Sequence, residues 1–284
     1  MTRYLITGAT GMLGRDLQTA LAGRDLTALG RRELDVTDLH AVMAAATEHD
    51  VIINCAAYTK VDDAETNQDD AYQINAVGPR NLAGAASAVG AKLVQISTDY
   101  VFDGSATRPY AEDTAHSPIS AYGRTKAAGE DFVLAENGAR SYIVRTAWLY
   151  GKNGPNFAKT MLKAAGTRDT LNVVNDQVGQ PTWTLDLAAQ IVLLLDSDAP
   201  AGIYHGTNSG VASKFDQARD VFALAGLDPE RVLPTDSSAF VLPAPRPAYS
   251  VLGHANWAAA GLEPMRSWQS AQAEAFAAGV FETA

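Results

Sequence analysis

The sequence contains almost no cysteine and no long hydrophobic run. Cys55 is its only cysteine among 284 residues, which excludes internal disulfides and a thiolate metal site. A thiol within the apolar run VIINCAAY is typical of an inert buried side chain rather than a nucleophile. No segment approaches the roughly 18 consecutive apolar residues of a membrane helix, and the chain starts on a strand-like YLITG without a signal-peptide pattern. These absences predict a cytoplasmic protein.

Positive charge is scarce as well. The chain has 22 Lys and Arg against 32 Asp and Glu, a net charge of −10, and its pI is about 4.9. This balance argues against nucleic acid or an anionic membrane surface as a partner, so an anionic small molecule would need a local basic pocket. The histidines have no metal-ligand spacing, and no histidine metal site is expected at any of them: His40, His49, His116, His205 and His254.

Strand and helix patterns alternate through the first half of the chain. Short runs rich in Val, Ile and Leu predict strands over 3–8, 25–30, 50–57, 92–98 and 141–151. Helical patterns predict a long helix from about 69 to 89 and a strongly apolar helix over 184–196. Unbroken apolar strands between helices are typical of a parallel sheet covered on both faces, so an α/β, Rossmann-type doubly wound fold is predicted. Residues 1–150 would form the dinucleotide-binding domain, with about 182–205 packing back onto it. A smaller C-terminal α/β substrate-binding lobe would comprise about 151–181 and 206–284.

A glycine-rich turn follows the first predicted strand. Gly8, Gly11 and Gly14 have the spacing GxxGxxG, with Met12 and Leu13 between the last two, and a helical pattern follows. Glycines in this position allow a tight turn and a close approach of backbone to a pyrophosphate, while the helix N–H groups receive the negative charge. Because the turn opens a βαβ unit, it predicts a nicotinamide dinucleotide site rather than a turn alone.

The end of the second predicted strand bears on the choice between NADPH and NADH. An acid there binds the ribose hydroxyls, whereas a basic residue accommodates a 2′-phosphate. Here Arg31 and Arg32 follow Gly30, and an acid first appears at Glu33. The guanidinium fork is a good phosphate ligand, which favours NADPH; solvent-facing arginines and NADH use remain the alternative. Asp35 and Val36 stand where an acid meets the adenine amino group.

The segment Tyr122-Gly-Arg-Thr-Lys126 places a phenol and an ammonium four residues apart on one helical face. A nearby ammonium favours the phenolate and is expected to lower the tyrosine pKa toward neutrality. Thr98 ends the fourth predicted strand, at the sheet edge where ligands of such folds bind, and its hydroxyl can hydrogen-bond a substrate carbonyl. A surface Tyr and Lys would give the same spacing, but the order of glycine turn, Thr98, Tyr122 and Lys126 favours an oxidoreductase.

These motifs resemble the short-chain dehydrogenase/reductase superfamily, in its extended branch that acts on nucleotide sugars. The finer resemblance is to the dTDP-4-dehydrorhamnose reductase family and runs over nearly the whole chain. The matching segments are ITGATGMLG, INCAAYTKVDDAE, INAVGP, STDYVFDG, YGRTKAAGE, RTAWLYG, NFAKTM, VVNDQVGQPT and RPAYSVL.

The resemblance implies NADPH-dependent reduction of the 4-keto group of dTDP-4-dehydro-L-rhamnose to dTDP-L-rhamnose, with hydride delivered to C4. Thr98 would orient the carbonyl, Tyr122 would supply the proton, and Lys126 would tune Tyr122 and bind the nicotinamide ribose. Four more residues would lie at the cofactor, the last in a supporting role: Ala56, Ala57, Tyr58 and Asn75. Candidate substrate residues are Thr98, Asp99, Tyr100, Trp148, Asn156, Lys159, Gln177 and Arg246, although a core tryptophan and solvated charges would have the same pattern.

Some members of this family are metal-assisted dimers, with acidic residues near the first helix and the C-terminus. Arg15 follows Gly14 here and no matching acidic cluster is evident, so Mg²⁺ is not expected and the chain is a monomer or a homodimer. Two alternatives for function stay open. The first is a reductase of a different dTDP-4-keto-deoxysugar, of a streptose or antibiotic pathway, and the second is a non-catalytic regulatory subunit with this fold.

Overall fold

The computed structural model describes residues 1–281. Its strands are β1 (Arg3–Thr7), β2 (Asp25–Leu29), β3 (Val51–Asn54), β4 (Lys92–Thr98), β5 (Ser141–Thr146), β6 (Leu149–Tyr150), β7 (Leu171–Val174), β8 (Val178–Gly179), β9 (Thr182–Trp183), β10 (Gly202–His205), β11 (Ala212–Ser213) and β12 (Val232–Thr235). Its α-helices are α1 (Met12–Ala20), α2 (Leu39–Ala46), α3 (Gln68–Tyr72), α4 (Gly78–Val89), α5 (Ala121–Asn137), α6 (Phe157–Ala165), α7 (Thr184–Asp196), α8 (Lys214–Leu224), α9 (Ala255–Ala259) and α10 (Trp268–Ala277).

Six parallel strands form the central sheet in the order β2-β1-β3-β4-β5-β10. The strand order reverses between β1 and β3, and in such sheets ligands bind in the crevice at the carboxyl ends of the strands flanking this point. The remaining strands form two-stranded pairs outside this sheet: β7 with β12, β8 with β11, and β6 with β9. The predicted α/β, Rossmann-type doubly wound fold is confirmed.

Helices cover both faces of the sheet because its strands are apolar on both sides. Tyr4 and Ile6 of β1 face a core shared with α1 and α7, whereas Leu5 faces a core shared with α2, α4 and α5. Helix α7 packs against α1, and β10 pairs with β5 in the sheet. The boundary between a dinucleotide-binding domain and a C-terminal lobe stays a prediction. None of the helices within residues 1–281 is long and apolar enough to cross a membrane.

Two segments differ from the sequence-based prediction. The strand expected over 141–151 ends at Thr146, and β6 then pairs with β9 outside the central sheet. Between them Trp148 has φ +46°, a left-handed conformation that is uncommon for a non-glycine residue and turns the chain away from the sheet. The long predicted helix after Asp69 is interrupted by a π-helix over Gln73–Val77, a feature often found near functional sites.

Candidate active site

A cleft of about 1480 Å³ opens along the carboxyl edge of the central sheet. It brings together most of the predicted cofactor and substrate residues: Gly8, Gly11, Met12, Leu13, Gly14, Arg31, Asp35, Val36, Ala56, Ala57, Tyr58, Thr98, Asp99, Tyr100, Tyr122, Lys126 and Trp148. The other predicted residues do not line this cleft: Arg32, Asn75, Asn156, Lys159, Gln177 and Arg246.

The glycine-rich turn has the geometry of a cradle that larger side chains would fill. Gly8 has φ +64°, and a Cβ added to it would lie 2.5 Å from the backbone nitrogen of Ala56. A Cβ on Gly14 would lie 2.6 Å from the carbonyl oxygen of Gly8. Gly11 is the N-cap residue of α1 and provides no side-chain cap, and the first turn of the helix carries no acid. The N–H groups at this positive helix end are therefore free to receive a pyrophosphate, so these residues fit a dinucleotide.

The acids after β2 are engaged in local hydrogen bonds. Glu33 accepts a hydrogen bond from the backbone nitrogen of Gly30 at 2.9 Å, which holds its carboxylate on its own turn. Backbone and side-chain hydrogen bonds from Thr37 lower the pKa of Asp35 below its usual value. Arg31 is exposed and lines the cleft, whereas Arg32 does not. A basic side chain thus occupies the rim where a 2′-phosphate would lie.

Asn75 fixes the backbone wall of the cleft from behind. Its Oδ1 accepts a hydrogen bond from the backbone nitrogen of Tyr58 at 2.8 Å, and its Nδ2 donates to the carbonyl oxygen of Tyr58 at 3.1 Å. The same Nδ2 donates to Thr125 Oγ1 of α5 at 3.1 Å. Asn75 is only 1% exposed and does not line the cleft, so its geometry is that of a support for the Ala56–Tyr58 segment.

Helix α5 lies directly on the segment that follows β4, which brings distant residues to one place. Ser120 caps the start of α5 by accepting a hydrogen bond from the backbone nitrogen of Gly123. A Cβ on Gly123 would lie 2.1 Å from the carbonyl oxygen of Tyr100, so only glycine allows this approach. As a result the rings of Tyr100 and Tyr122 meet edge to face, with centroids 5.6 Å apart.

Burial controls the protonation of Tyr122 and Lys126. It raises the pKa of Tyr122 to about 12, although a hydrogen bond with Thr98 opposes this change. This direction is opposite to the one expected from Lys126 alone. Lys126 is 3% exposed, and burial lowers its pKa to about 8 while the charge of Glu130 opposes the shift. Its Nζ donates to the carbonyl oxygen of Ile96 at 2.5 Å, at the end of β4.

Asp99 presents a buried carboxylate oxygen beside Thr98. The Thr98 hydroxyl donates to its Oδ1 at 3.0 Å, whereas its Oδ2 has no hydrogen-bond partner among residues 1–281. Burial raises the pKa of Asp99 to about 6, opposed by the nearby hydroxyls of Ser250 and Thr98 and by the charge of Lys214. An unpaired buried acceptor next to the Thr98 hydroxyl fits a ligand donor such as a sugar hydroxyl.

Behind the cleft, a buried ionic cluster joins α5 to β4 and β5. Glu130 is fully buried and accepts hydrogen bonds from Ser97, from His116 and from the guanidinium of Arg145, whose Nη2 lies 2.7 Å from Glu130 Oε2. This cluster is not predicted from the sequence, although Glu130 follows Lys126 by one helical turn. Its partners come from distant segments, so no local pattern could have identified it.

A second cavity of about 970 Å³ contains Gln177 and Arg246 in its wall. Gln177 donates to Ser237 Oγ at 3.0 Å, and Arg246 is bonded to Asp62 at 2.7 Å and to the Ala244 carbonyl oxygen at 2.8 Å. The two remaining candidates, Asn156 and Lys159, line neither cavity.

Asn156 and Lys159 bond within their own region of the chain. The Asn156 side chain caps α6 by accepting from the Lys159 backbone nitrogen at 3.0 Å, and it donates to the Gly151 carbonyl oxygen. The Lys159 ammonium donates to the Lys152 carbonyl oxygen at 2.6 Å. The geometry thus gives Asn156 a capping role, and substrate contacts by these two residues stay predictions. No group of three or more His, Cys, Asp or Glu able to hold a metal occurs within residues 1–281.

Comparisons with known proteins agree with this geometry. The family described as RmlD substrate binding domain matches residues 2–280. The dTDP-4-dehydrorhamnose reductase of Streptomyces griseus is 52% identical, over 97% of this chain and 93% of that protein. A probable dTDP-4,6-dihydroxy-2-methyloxan-3-one 4-ketoreductase of Streptomyces antibioticus is 51% identical, over 96% of this chain and 94% of that protein.

Among solved structures, dTDP-4-dehydrorhamnose reductase of Bacillus anthracis in complex with NADP has a TM-score of 0.92 and 42% identity, covering 100% of both chains. The relationship therefore covers at least 93% of the length of each of these relatives. This chain belongs to the RmlD substrate-binding domain family, the dTDP-4-dehydrorhamnose reductases of the extended short-chain dehydrogenase/reductase superfamily.

Proposed function

We propose that this protein reduces the 4-keto group of dTDP-4-dehydro-L-rhamnose with NADPH, giving dTDP-L-rhamnose. The observation that carries the proposal is the meeting of Thr98, Tyr122 and Lys126 in the same cleft as the glycine-rich cradle of Gly8. The names of the Streptomyces griseus and Bacillus anthracis relatives support this substrate and this cofactor. A cytoplasmic location and a monomeric or homodimeric state stay predictions.

The proposed chemistry assigns one task to each catalytic side chain. Bound NADPH supplies the hydride that reaches C4 of the sugar. The Thr98 hydroxyl, which donates to Asp99 in the structure, would turn to donate to the carbonyl oxygen when substrate binds. Tyr122 then donates its phenolic proton to that oxygen as C4 is reduced. Because burial keeps the pKa of Tyr122 near 12, the phenol carries its proton at neutral pH, as a general acid must. The charged Lys126 stabilises the phenolate that results until solvent returns a proton.

Each group of cofactor residues is assigned to one part of the dinucleotide. Gly8, Gly11, Met12, Leu13 and Gly14 would hold the pyrophosphate at the start of α1. In this proposal Arg31 binds the 2′-phosphate with Arg32 nearby, and Asp35 and Val36 meet the adenine. The segment Ala56–Tyr58, held by Asn75, forms the wall beside the nicotinamide half, and Lys126 binds its ribose.

The sugar would lie among Asp99, Tyr100 and Trp148, close to Thr98. The nucleoside would then extend toward the second cavity and its residues Gln177 and Arg246, whose wall also includes Phe157 and Phe240. This division agrees with a cofactor domain over residues 1–150, to which 182–205 return, and a substrate lobe built from 151–181 and 206–284.

A second candidate function rests on the Streptomyces antibioticus relative, which is as similar as the reductase of Streptomyces griseus but is named for a different ketosugar. The substrate would then be another dTDP-4-keto-deoxysugar. A non-catalytic regulatory subunit is disfavoured because such a protein has no need of Thr98, Tyr122 and Lys126 together.

The test is NADPH consumption with two ketosugars that differ in ring configuration. Purified enzyme is given dTDP-4-dehydro-L-rhamnose or its unepimerised dTDP-4-keto-6-deoxy-D-glucose precursor, with NADPH or NADH. We expect kcat/KM to be at least roughly tenfold higher for the L-sugar and higher with NADPH. Preference for the D-sugar would support the second candidate. Tight NADPH binding without turnover of either sugar would support the regulatory subunit.

A further inference from the structure

Lys214 has a fixed position between aromatic rings. It is the first residue of α8, whose start is held by a capping box in which Ser213 and Asp216 bond each other's backbone nitrogens. Its Nζ lies 3.3 Å from the ring centroid of Trp148 and 4.8 Å from that of Phe157. The side chain is half-buried, so it is held against these rings rather than extended into solvent.

The ammonium of Lys214 lacks a partner that neutralises it. Within residues 1–281 it has no hydrogen-bond acceptor and no carboxylate within ion-pair distance; Asp99 acts on it only through its charge. Burial lowers the pKa of Lys214 to about 7, and Asp99 opposes the shift. The contrast with Arg246 is clear, since Arg246 is paired with Asp62. A half-buried cation with free donors is a favourable site for an anion.

Lys214 stands where the two cavities meet. It lines the second cavity, whereas Trp148, which it covers, lines the catalytic cleft together with Asp99. A nucleotide sugar has its diphosphate between the sugar and the nucleoside. With C4 of the sugar at Thr98 and Tyr122 and the nucleoside in the second cavity, the diphosphate must pass this boundary.

We infer that Lys214 is a substrate-binding residue that holds the diphosphate of the nucleotide sugar at the boundary between the two cavities. The inference rests on the proposed function, because it needs a nucleotide sugar that spans both cavities. It adds a cation on α8 to the polar residues expected from the sequence, and it accounts for a lysine kept between two aromatic rings without a counter-ion.

Calorimetric binding of TDP and of thymidine to the full chain tests the inference. Lys214→Met keeps the length of the side chain and its contacts with the rings but removes the charge. We expect it to weaken TDP binding roughly 10- to 100-fold, and to change thymidine binding by no more than about twofold. KM for the ketosugar should rise while kcat changes much less, because the lost contact is remote from C4. Lys214→Arg should retain most of the TDP affinity.

Arg219→Met is the matched control, since Arg219 also lies on α8, pairs with Glu230 and lines neither cavity. Its TDP affinity should equal that of the wild type. Unchanged TDP binding in Lys214→Met, or an equal loss for TDP and thymidine, would overturn the inference while leaving the proposed function intact. Wild-type protein that binds neither molecule would overturn the proposed function and this inference together.

Discussion

Lys126 is buried and Tyr122 is partly buried at the end of the cleft, and burial moves their pKa values in opposite directions. The pKa of Tyr122 is raised to about 12, so its phenol stays protonated at neutral pH. The pKa of Lys126 is lowered to about 8, so its ammonium loses its charge as the pH rises through that value. Reduction needs the phenol protonated and the ammonium charged. In the proposed mechanism, the alkaline limit of activity is therefore set by the lysine.

The pH profile of kcat/KM for ketosugar reduction should show this limit. Activity should fall with the loss of one proton above a pH of about 8, because neutral Lys126 no longer binds the ribose or stabilises the phenolate. Lys126→Arg, which stays charged, is the comparison: any residual activity it has should not decline in this range. A wild-type rate that stays constant far above pH 8 would contradict the role of Lys126.

Tyr122→Phe removes the proton donor and leaves the ring in place. We expect kcat to fall by roughly two to four orders of magnitude, because the carbonyl oxygen then lacks its general acid. NADPH affinity, measured by fluorescence titration, should remain close to that of the wild type, since no pyrophosphate contact is lost. Near-normal turnover would refute the assignment of Tyr122 as the donor.

Substitutions of the neighbouring residues Arg31 and Arg32 test the preference for NADPH over NADH. Arg31→Ala should weaken NADPH roughly 10- to 100-fold and NADH little, because only NADPH offers the 2′-phosphate. Arg32→Ala is the matched control, as Arg32 does not line the cleft, and it should have a smaller effect. The measurement is the Kd of each variant for both cofactors. An equal loss of affinity for NADPH and NADH in Arg31→Ala would contradict the proposal that Arg31 binds the 2′-phosphate.

At the scale of elements, segments with strong periodicity are predictable from the sequence, whereas segments without a local pattern are not. The sequence predicts α7 over 184–196, and the structure has it over Thr184–Asp196, because its apolar run is long and uninterrupted. The sequence predicts a strand that extends to 151, but β5 ends at Thr146. No residue type in RTAWLYG indicates the left-handed turn at Trp148. β12 was missed because it contains Pro234, which argues against a strand.

The junction of α5 with β5 gives a stability prediction. Burial alone would raise the pKa of Glu130, but hydrogen bonds from His116 and Arg145 outweigh it and lower the pKa from 4.5 to about 2. Ionised Glu130 therefore stabilises the fold above pH 4.5, and this contribution is lost as the pH falls toward 2. Glu130→Gln should lower the free energy of unfolding by about 3–5 kcal/mol at neutral pH, because it leaves Arg145 buried and unpaired.

Urea denaturation of both proteins across the acid range checks this expectation. The difference between wild type and Glu130→Gln should be largest at neutral pH and should shrink as Glu130 itself becomes protonated. Arg80 and Glu136 form an exposed ion pair, so Glu136→Gln serves as the control with little effect. A constant difference at all pH values would mean that Glu130 stabilises the junction by packing rather than by its charge.

At the scale of the whole molecule, the sequence predicts the cofactor half of the site better than the substrate half. The glycine turn and the Tyr122–Lys126 pair are short local patterns, and the structure places both in one cleft. The surroundings of Lys214 are not local. Trp148 and Asp99 come from distant segments, and Lys214 contacts Trp148 only once the C-terminal region has packed beside the sheet. Long-range packing of this kind leaves no pattern in a single sequence.

The most direct measurement of the central claim is the fate of a labelled hydride. NADPH carrying deuterium at its transferable position is incubated with dTDP-4-dehydro-L-rhamnose and the enzyme, and the product is examined by NMR. Our account predicts dTDP-L-rhamnose with deuterium at C4 alone. Label at another carbon, or no labelled product although NADPH is bound, would contradict a 4-ketoreductase of this sugar.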